Sequence, residues 1–179
     1  MSEQDRESKS VLCEGRYLRF VRRGTWEYVE RRNISGIVGL VPVTDEGQLV
    51  LVEQYRPPVA RNVIELPAGL VGDRPEEPEE TLLAAARREL LEETGYEAGR
   101  IEPLTEGAAS AGSADEILTL LLATNLRKVG PGGGDAHEQI TVHLVPLDQA
   151  AAWLDAKRQA GLVIDLKVYA GLYFASAER

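Results

Sequence analysis

Apolar residues fall along this chain in short runs separated by turn-forming or charged stretches, and the runs change period from strand-like to helix-like. Between residues 15 and 34, Tyr17, Leu18, Phe20 and Val21, then Trp26, Tyr28 and Val29, are interspersed with arginines on either side of an Arg-Gly-Thr segment. That pattern predicts an antiparallel hairpin turning near Gly24. The runs from Ile37 to Val43 and from Gln48 to Gln54 are split by Thr44-Asp45-Glu46-Gly47, whose turn chemistry predicts a second hairpin. Val63 to Leu66 predicts a short strand that Pro67 ends. Gly72 to Pro78 is polar with two prolines and predicts a surface loop. Pro78 suits the first turn of a helix that runs to Thr94 and stops at Gly95. Further strands are expected at Ile117 to Thr124 and Thr141 to Val145, with a flexible Pro131-Gly132-Gly133-Gly134-Asp135 between them. Helices over about 147–160 and 164–177, parted by Gly161, complete an α/β sandwich.

At 179 residues and 44% hydrophobic, the chain holds one domain with a full core and is short for two. The polar opening and the lack of a long apolar run lead us to expect no leader peptide, no membrane span and a cytoplasmic location. The single cysteine, Cys13, excludes an internal disulfide and a thiolate metal cluster. A net charge of −9 argues against nonspecific nucleic-acid or anionic-membrane partners, which require a positive field. An acidic protein can still take a phosphate-bearing substrate if divalent cations lie between carboxylates and phosphates, so the charge directs attention to carboxylate clusters.

One such cluster lies on the predicted central helix. Glu89, Glu92 and Glu93 are related as i, i+3 and i+4, which places them within an arc of roughly 100°. Leu83, Ala86 and Leu90 supply an apolar stripe beside them. Like charges at this spacing repel, and anions are disfavoured near a helix C-terminus. Two local rules are broken in one place, where bound Mg²⁺ or Mn²⁺ would offset the repulsion.

Glu80, seven residues, then Arg88-Glu89-Leu90-x-Glu92-Glu93-x-Gly95-Tyr96 resembles the Nudix box. Ten residues (70–79) separate Gly69 from Glu80, and Arg74 stands at the standard glycine position, which reads as a five-residue lengthening of the loop before the helix. From about Glu14 to Ala175 the chain is similar to the ADP-sugar pyrophosphatase branch of that family. The similarity is carried by Thr25-Trp26-Glu27, Glu53-Gln54-Tyr55-Arg56-Pro57-Pro58, Ile64-Glu65-Leu66-Pro67-Ala68-Gly69, Gly134-Asp135-x-x-Glu138 and Asp165-x-Lys167-Val168-Tyr169.

The resemblance implies an α/β/α sandwich around a mixed sheet. It also implies an N-terminal strand region (1–36) exchanged between subunits of a homodimer, followed by a catalytic domain (37–179). It implies that the Ala68 carbonyl and the carboxylates of Glu89, Glu92 and Glu93 hold Mg²⁺, with Arg88 orienting the acidic helix. Tyr17 and Trp26 would sandwich a nucleobase and Glu27 would accept a hydrogen bond from its edge. Arg31 and Arg56 would clamp phosphate, and Leu70 would line the substrate site. Glu92 and Glu93 would take part in catalysis with Glu138 as base or water-positioning group, His137 being a rival base. The expected reaction is Mg²⁺-dependent hydrolysis of ADP-ribose to AMP and ribose 5-phosphate. In the ADP-ribose group a proline usually follows the box, whereas Ala111 occupies the corresponding stretch here. GDP-mannose or another nucleoside diphosphate sugar therefore stays as an alternative, as does a Nudix-fold nucleotide-binding module without turnover.

Overall fold

A computed structural model describes residues 8–134 and 139–177. The first three strands, β1 (Lys9–Glu14), β2 (Leu18–Arg23) and β3 (Trp26–Arg31), form an antiparallel sheet of their own. β2 and β3 are the hairpin expected from the sequence, turning at Gly24 with φ +59°. The remaining strands are β4 (Gly36–Pro42), β5 (Gln48–Arg56), β6 (Arg61–Glu65), β7 (Ala68–Val71), β8 (Tyr96–Ala108), β9 (Ile117–Lys128), β10 (Thr141–Pro146) and β11 (Val163–Ile164). They make two mixed sheets, ordered β7-β4-β9-β8 and β10-β5-β6-β11. The helices are α1 (Leu82–Thr94), α2 (Ala150–Gln159) and α3 (Leu166–Ala177).

The nearly continuous apolar runs have a simple cause: these strands are buried on both faces. Successive residues of β4 alternate between two cores, with Val38 and Leu40 packed toward α1 and Val41 packed toward α2 and α3. β5 does the same with Val50 against Leu49 and Leu51, and β9 with Leu121 and Ala123 against Leu118, Leu120 and Leu122. The result is an α/β/α sandwich. Burial at roughly 25 cal/mol per Å² of apolar surface drives both interfaces.

The expected second hairpin is corrected. Gly47 makes the turn, with φ +74° and its N–H on Thr44 O at 2.9 Å. Yet β4 pairs with β7 and β9 while β5 pairs with β10 and β6, and only an isolated Val43–Leu49 bridge joins the two runs. Each strand is central in its own sheet, so its hydrogen-bonding edges are taken by other partners. The central helix starts later than Pro78: Thr81 caps it, with Oγ1 accepting the Ala84 N–H at 3.2 Å. Leu83 is exposed, and Ala85 joins Ala86 and Leu90 in the core instead. No helix among the described residues is long and apolar enough to cross a membrane.

Candidate active site

β7 runs beside β4 and delivers Ala68 and Gly69 to the flank of α1. The Ala68 N–H donates to Glu93 Oε2 at 3.2 Å, so the buried end of α1 is tied to the strand. Gly69 leaves room for the Glu89 carboxyl group, which a Cβ there would push aside. The backbone can therefore pass directly over the acidic edge of the helix.

Arg88 holds that edge in place. Its Nε and one terminal nitrogen grip both oxygens of Glu80 at 2.8 and 3.0 Å, in the bidentate geometry that guanidinium favours. Other contacts reach Leu70 O at 3.0 Å, Glu89 Oε1 at 2.6 Å and Glu92 Oε2 at 3.4 Å. The hydrogen bonds from Arg88, with help from the Gly72 N–H, hold the Glu80 carboxyl below its ordinary range. Glu89 goes the other way: burial pushes its carboxyl up to about 7, against the opposing pull of Arg88.

The ten residues between Gly69 and Glu80, five more than the box pattern has, begin with the end of β7 and a turn. The left-handed glycine after β7 is Gly72, with φ +72°, and seven residues (73–79) lie between it and Glu80. The extra length carries Arg74 onto Glu92, at 2.5 Å.

A cleft of about 540 Å³ opens over this region. Five of the predicted site residues line it: Arg31, Arg56, Ala68, Leu70 and Glu89, and Glu93 makes a sixth. Arg31 Nε is paired with Glu116 at 2.7 Å and Arg56 Nε with Glu65 at 2.8 Å. Sequence reasoning gave no site role to Glu65, Asp73, Glu116 or Lys167, which also line the cleft. Burial raises the Glu65 carboxyl in spite of Arg56.

Glu92 is turned to Arg74 and is not part of the lining. Tyr17, Trp26 and Glu27 are exposed and do not reach the cleft within one chain. Trp26 instead borders a second hollow of about 330 Å³ with Arg23, Tyr28 and Asp115, next to the loop that carries Glu116. Glu138 and His137 lie outside the described residues.

The glycine run before them is corrected from a flexible tether to an anchored segment. Gly133 N donates to Glu93 O at 2.8 Å and Gly134 N to Glu92 O at 3.0 Å, satisfying carbonyls at the end of α1. Gly132, Gly133 and Gly134 all have positive φ, and a Cβ on Gly132 would strike the Thr94 backbone.

The donor chemistry fits a hard divalent cation. Carboxylates and a main-chain carbonyl are all-oxygen ligands, and the described lining carries five carboxylates (Glu65, Asp73, Glu89, Glu93, Glu116) against three cations (Arg31, Arg56, Lys167). Glu89 is a half-buried acid whose desolvation outweighs its pairing with Arg88. As the side chains stand, no three described acidic or imidazole groups converge on one point, because Glu92 and Glu89 are turned to arginines. Ion binding there would exchange these arginine contacts for metal bonds.

Comparison with known proteins agrees with this geometry. The family description NUDIX domain matches residues 35–166. The methanol dehydrogenase activator of Bacillus methanolicus is 40% identical over 124 residues, 69% of this chain and 64% of that protein. The ADP-ribose pyrophosphatase of Bacillus subtilis (strain 168) is 45% identical over 91 residues, 51% of this chain and 46% of that protein. The alignments thus span about half to two-thirds of these relatives. Among solved structures, one titled as the crystal structure of an ADP compounds hydrolase superposes with a TM-score of 0.64 at 22% identity, covering 83% of this chain and 80% of the other, a likeness of fold.

Proposed function

The chain belongs to the Nudix family, and from that premise we propose that it hydrolyses the diphosphate bridge of a nucleoside diphosphate sugar, ADP-ribose first among them, with Mg²⁺ or Mn²⁺ as cofactor. The observation that carries this reading is one cleft in which Ala68, Glu89 and Glu93 face Arg31 and Arg56. Glu89, Glu92, Glu93 and the Ala68 carbonyl would hold the metal, which when bound neutralises phosphate charge and makes a bound water more acidic.

The chain's own groups do the rest. Arg56 is fastened through Nε to Glu65, which leaves its terminal nitrogens, among the described residues, to meet phosphate oxygens. Arg31 is fastened to Glu116 in the same way. The backbone at Gly69 and Leu70 lines the path of the substrate without side-chain bulk at Gly69. Glu92 and Glu93 are assigned to catalysis as well as to the metal. Removal of the water's proton is assigned to Glu138 on the family resemblance.

Tyr17, Trp26 and Glu27 are assigned to the nucleobase of a substrate bound with the help of a second copy of the chain. Their exposure in the single chain, and the exposed Val11, Leu12, Leu18 and Phe20 on the same sheet, support a homodimer built on residues 1–36.

The test is phosphate release in Mg²⁺ across ADP-ribose, ADP-glucose and GDP-mannose. Glu93→Gln should lower kcat at least about a hundredfold, more than loss of an outer-shell partner causes, with the melting temperature little changed. Full activity in that variant removes the metal assignment. The likeness to the methanol dehydrogenase activator favours one second reading, a nucleotide-binding module acting on a partner protein. Tight nucleotide binding without release from any sugar nucleotide would select it.

A further inference from the structure

We propose that Lys167 and Glu65 form the subsite that reads the hydroxyl groups of the sugar beyond the diphosphate, with Asp165 as the residue that positions Lys167. The inference rests on the sugar-nucleotide reading above and assigns the part of the cleft that the phosphate and metal residues leave unexplained.

The placement comes from strand pairing. β11 pairs in parallel with β6, Val163 opposite Val63 and Ile164 opposite Ile64, and the Asp165 N–H continues the ladder onto Ile64 O at 2.9 Å. Asp165 is therefore set beside Glu65 where both strands end, and α3 begins at the next residue. Asp165 caps that helix: its Oδ1 accepts the Lys167 N–H at 2.8 Å. Its other oxygen takes the Lys167 ammonium at 2.5 Å, which holds this flexible side chain in one direction. Lys167 and Glu65 both line the cleft, with Arg56 next to Glu65 on the same wall.

Charge decides what this corner suits. Arg56 and Lys167 are matched by Glu65 and Asp165, so the four groups sum to zero and the corner offers no net attraction to a further phosphate. It does offer an acceptor beside a donor. An ammonium has three donor protons and a carboxylate only acceptor sites, whereas each sugar hydroxyl both donates and accepts. Two neighbouring hydroxyls can thus bond the Lys167 ammonium and the Glu65 carboxylate together.

Calorimetric titration in Ca²⁺ with ADP-ribose and with ADP, which lacks the second sugar, tests this on the wild-type protein, Lys167→Met and Lys167→Arg. Lys167→Met should weaken ADP-ribose binding about tenfold and leave ADP binding unchanged, and Lys167→Arg should recover most of the loss. In Mg²⁺ the same variant should raise KM more than it lowers kcat. An equal loss for both ligands would make Lys167 a phosphate or scaffold residue and overturn the inference, as would no loss for either. Absence of Mg²⁺-dependent turnover in the wild type would overturn the hydrolase reading alone, since the two titrations still decide the subsite. Wild-type protein that binds neither ligand overturns both.

Discussion

Arg88 spreads one guanidinium over Glu80, Glu89, Glu92 and the Leu70 carbonyl, and so couples the loop before the helix to the acidic edge of the helix. The network leaves Glu89 undercompensated, since burial lifts its carboxyl from an ordinary 4.5 to about 7. A raised carboxyl favours the protonated folded state. Stability of the metal-free protein should therefore decline as pH rises from about 4.5 through 7, by an amount on the order of 3 kcal/mol at most. A cation must displace that proton, so Mg²⁺ affinity should rise with pH and level off above about 7. Metal-free melts and Mg²⁺ titrations from pH 5 to pH 8 check both. Glu89→Gln should flatten most of the pH slope of the melts, the remainder belonging to other raised carboxyls such as Glu65; an unchanged slope assigns it to another group. Glu89 was legible as a candidate because helical spacing is local. Its approach to Gly69 was not, because nineteen residues of intervening chain had to fold first.

At the scale of elements, α1 and the glycine segment behave as one unit. Gly95 ends the helix at φ +71° with its N–H on Leu91 O at 2.8 Å, and its carbonyl accepts the N–H groups of Val129 and Gly130. A Cβ there would run into the backbone of Gly130 and Gly132. Gly95→Ala should destabilise the protein by about 1–2 kcal/mol from the left-handed backbone alone, and by more from the clash. Because Gly133 and Gly134 bond to the carbonyls of Glu93 and Glu92, kcat should fall along with stability. A lowered urea midpoint with unchanged kcat would show that the glycine segment does not position the reacting groups. The helix stop was readable from Gly95, since a left-handed cap requires glycine. The start was misplaced at Pro78 because Thr81 offers the stronger signal, a side-chain acceptor for an orphan N–H. β8 escaped notice because Gly99, Pro103 and Gly107 interrupt its pattern, and its register shifts between Pro103 and Thr105.

For the whole molecule, the N-terminal sheet and the two-sheet core stand in different relations to solvent. The core strands are covered on both faces, whereas Val11, Leu12, Leu18 and Phe20 remain exposed on the sheet formed by β1, β2 and β3. That sheet is internally secured at Glu30. Burial would raise its carboxyl, but hydrogen bonds from Lys9, Arg19 and Tyr28 outweigh this and hold it low. Light scattering should give twice the monomer mass, and the double variant Val11→Asp, Phe20→Asp should return it to one chain while weakening nucleotide binding. A wild-type protein of single-chain mass rules out the dimer and leaves Tyr17, Trp26 and Glu27 without a route to the cleft. By itself the sequence determined the apolar core strands and the three helices, the acidic edge of α1 and the membership of a family, because each is written in spacings of a few residues. Only the tertiary structure decided which strands share a sheet, which wall faces Glu89, and that Lys167 and Glu65, about a hundred residues apart, meet in one cleft. Those outcomes depend on parallel pairing and two-sided burial, which are fixed by the chain as a whole rather than by any local segment.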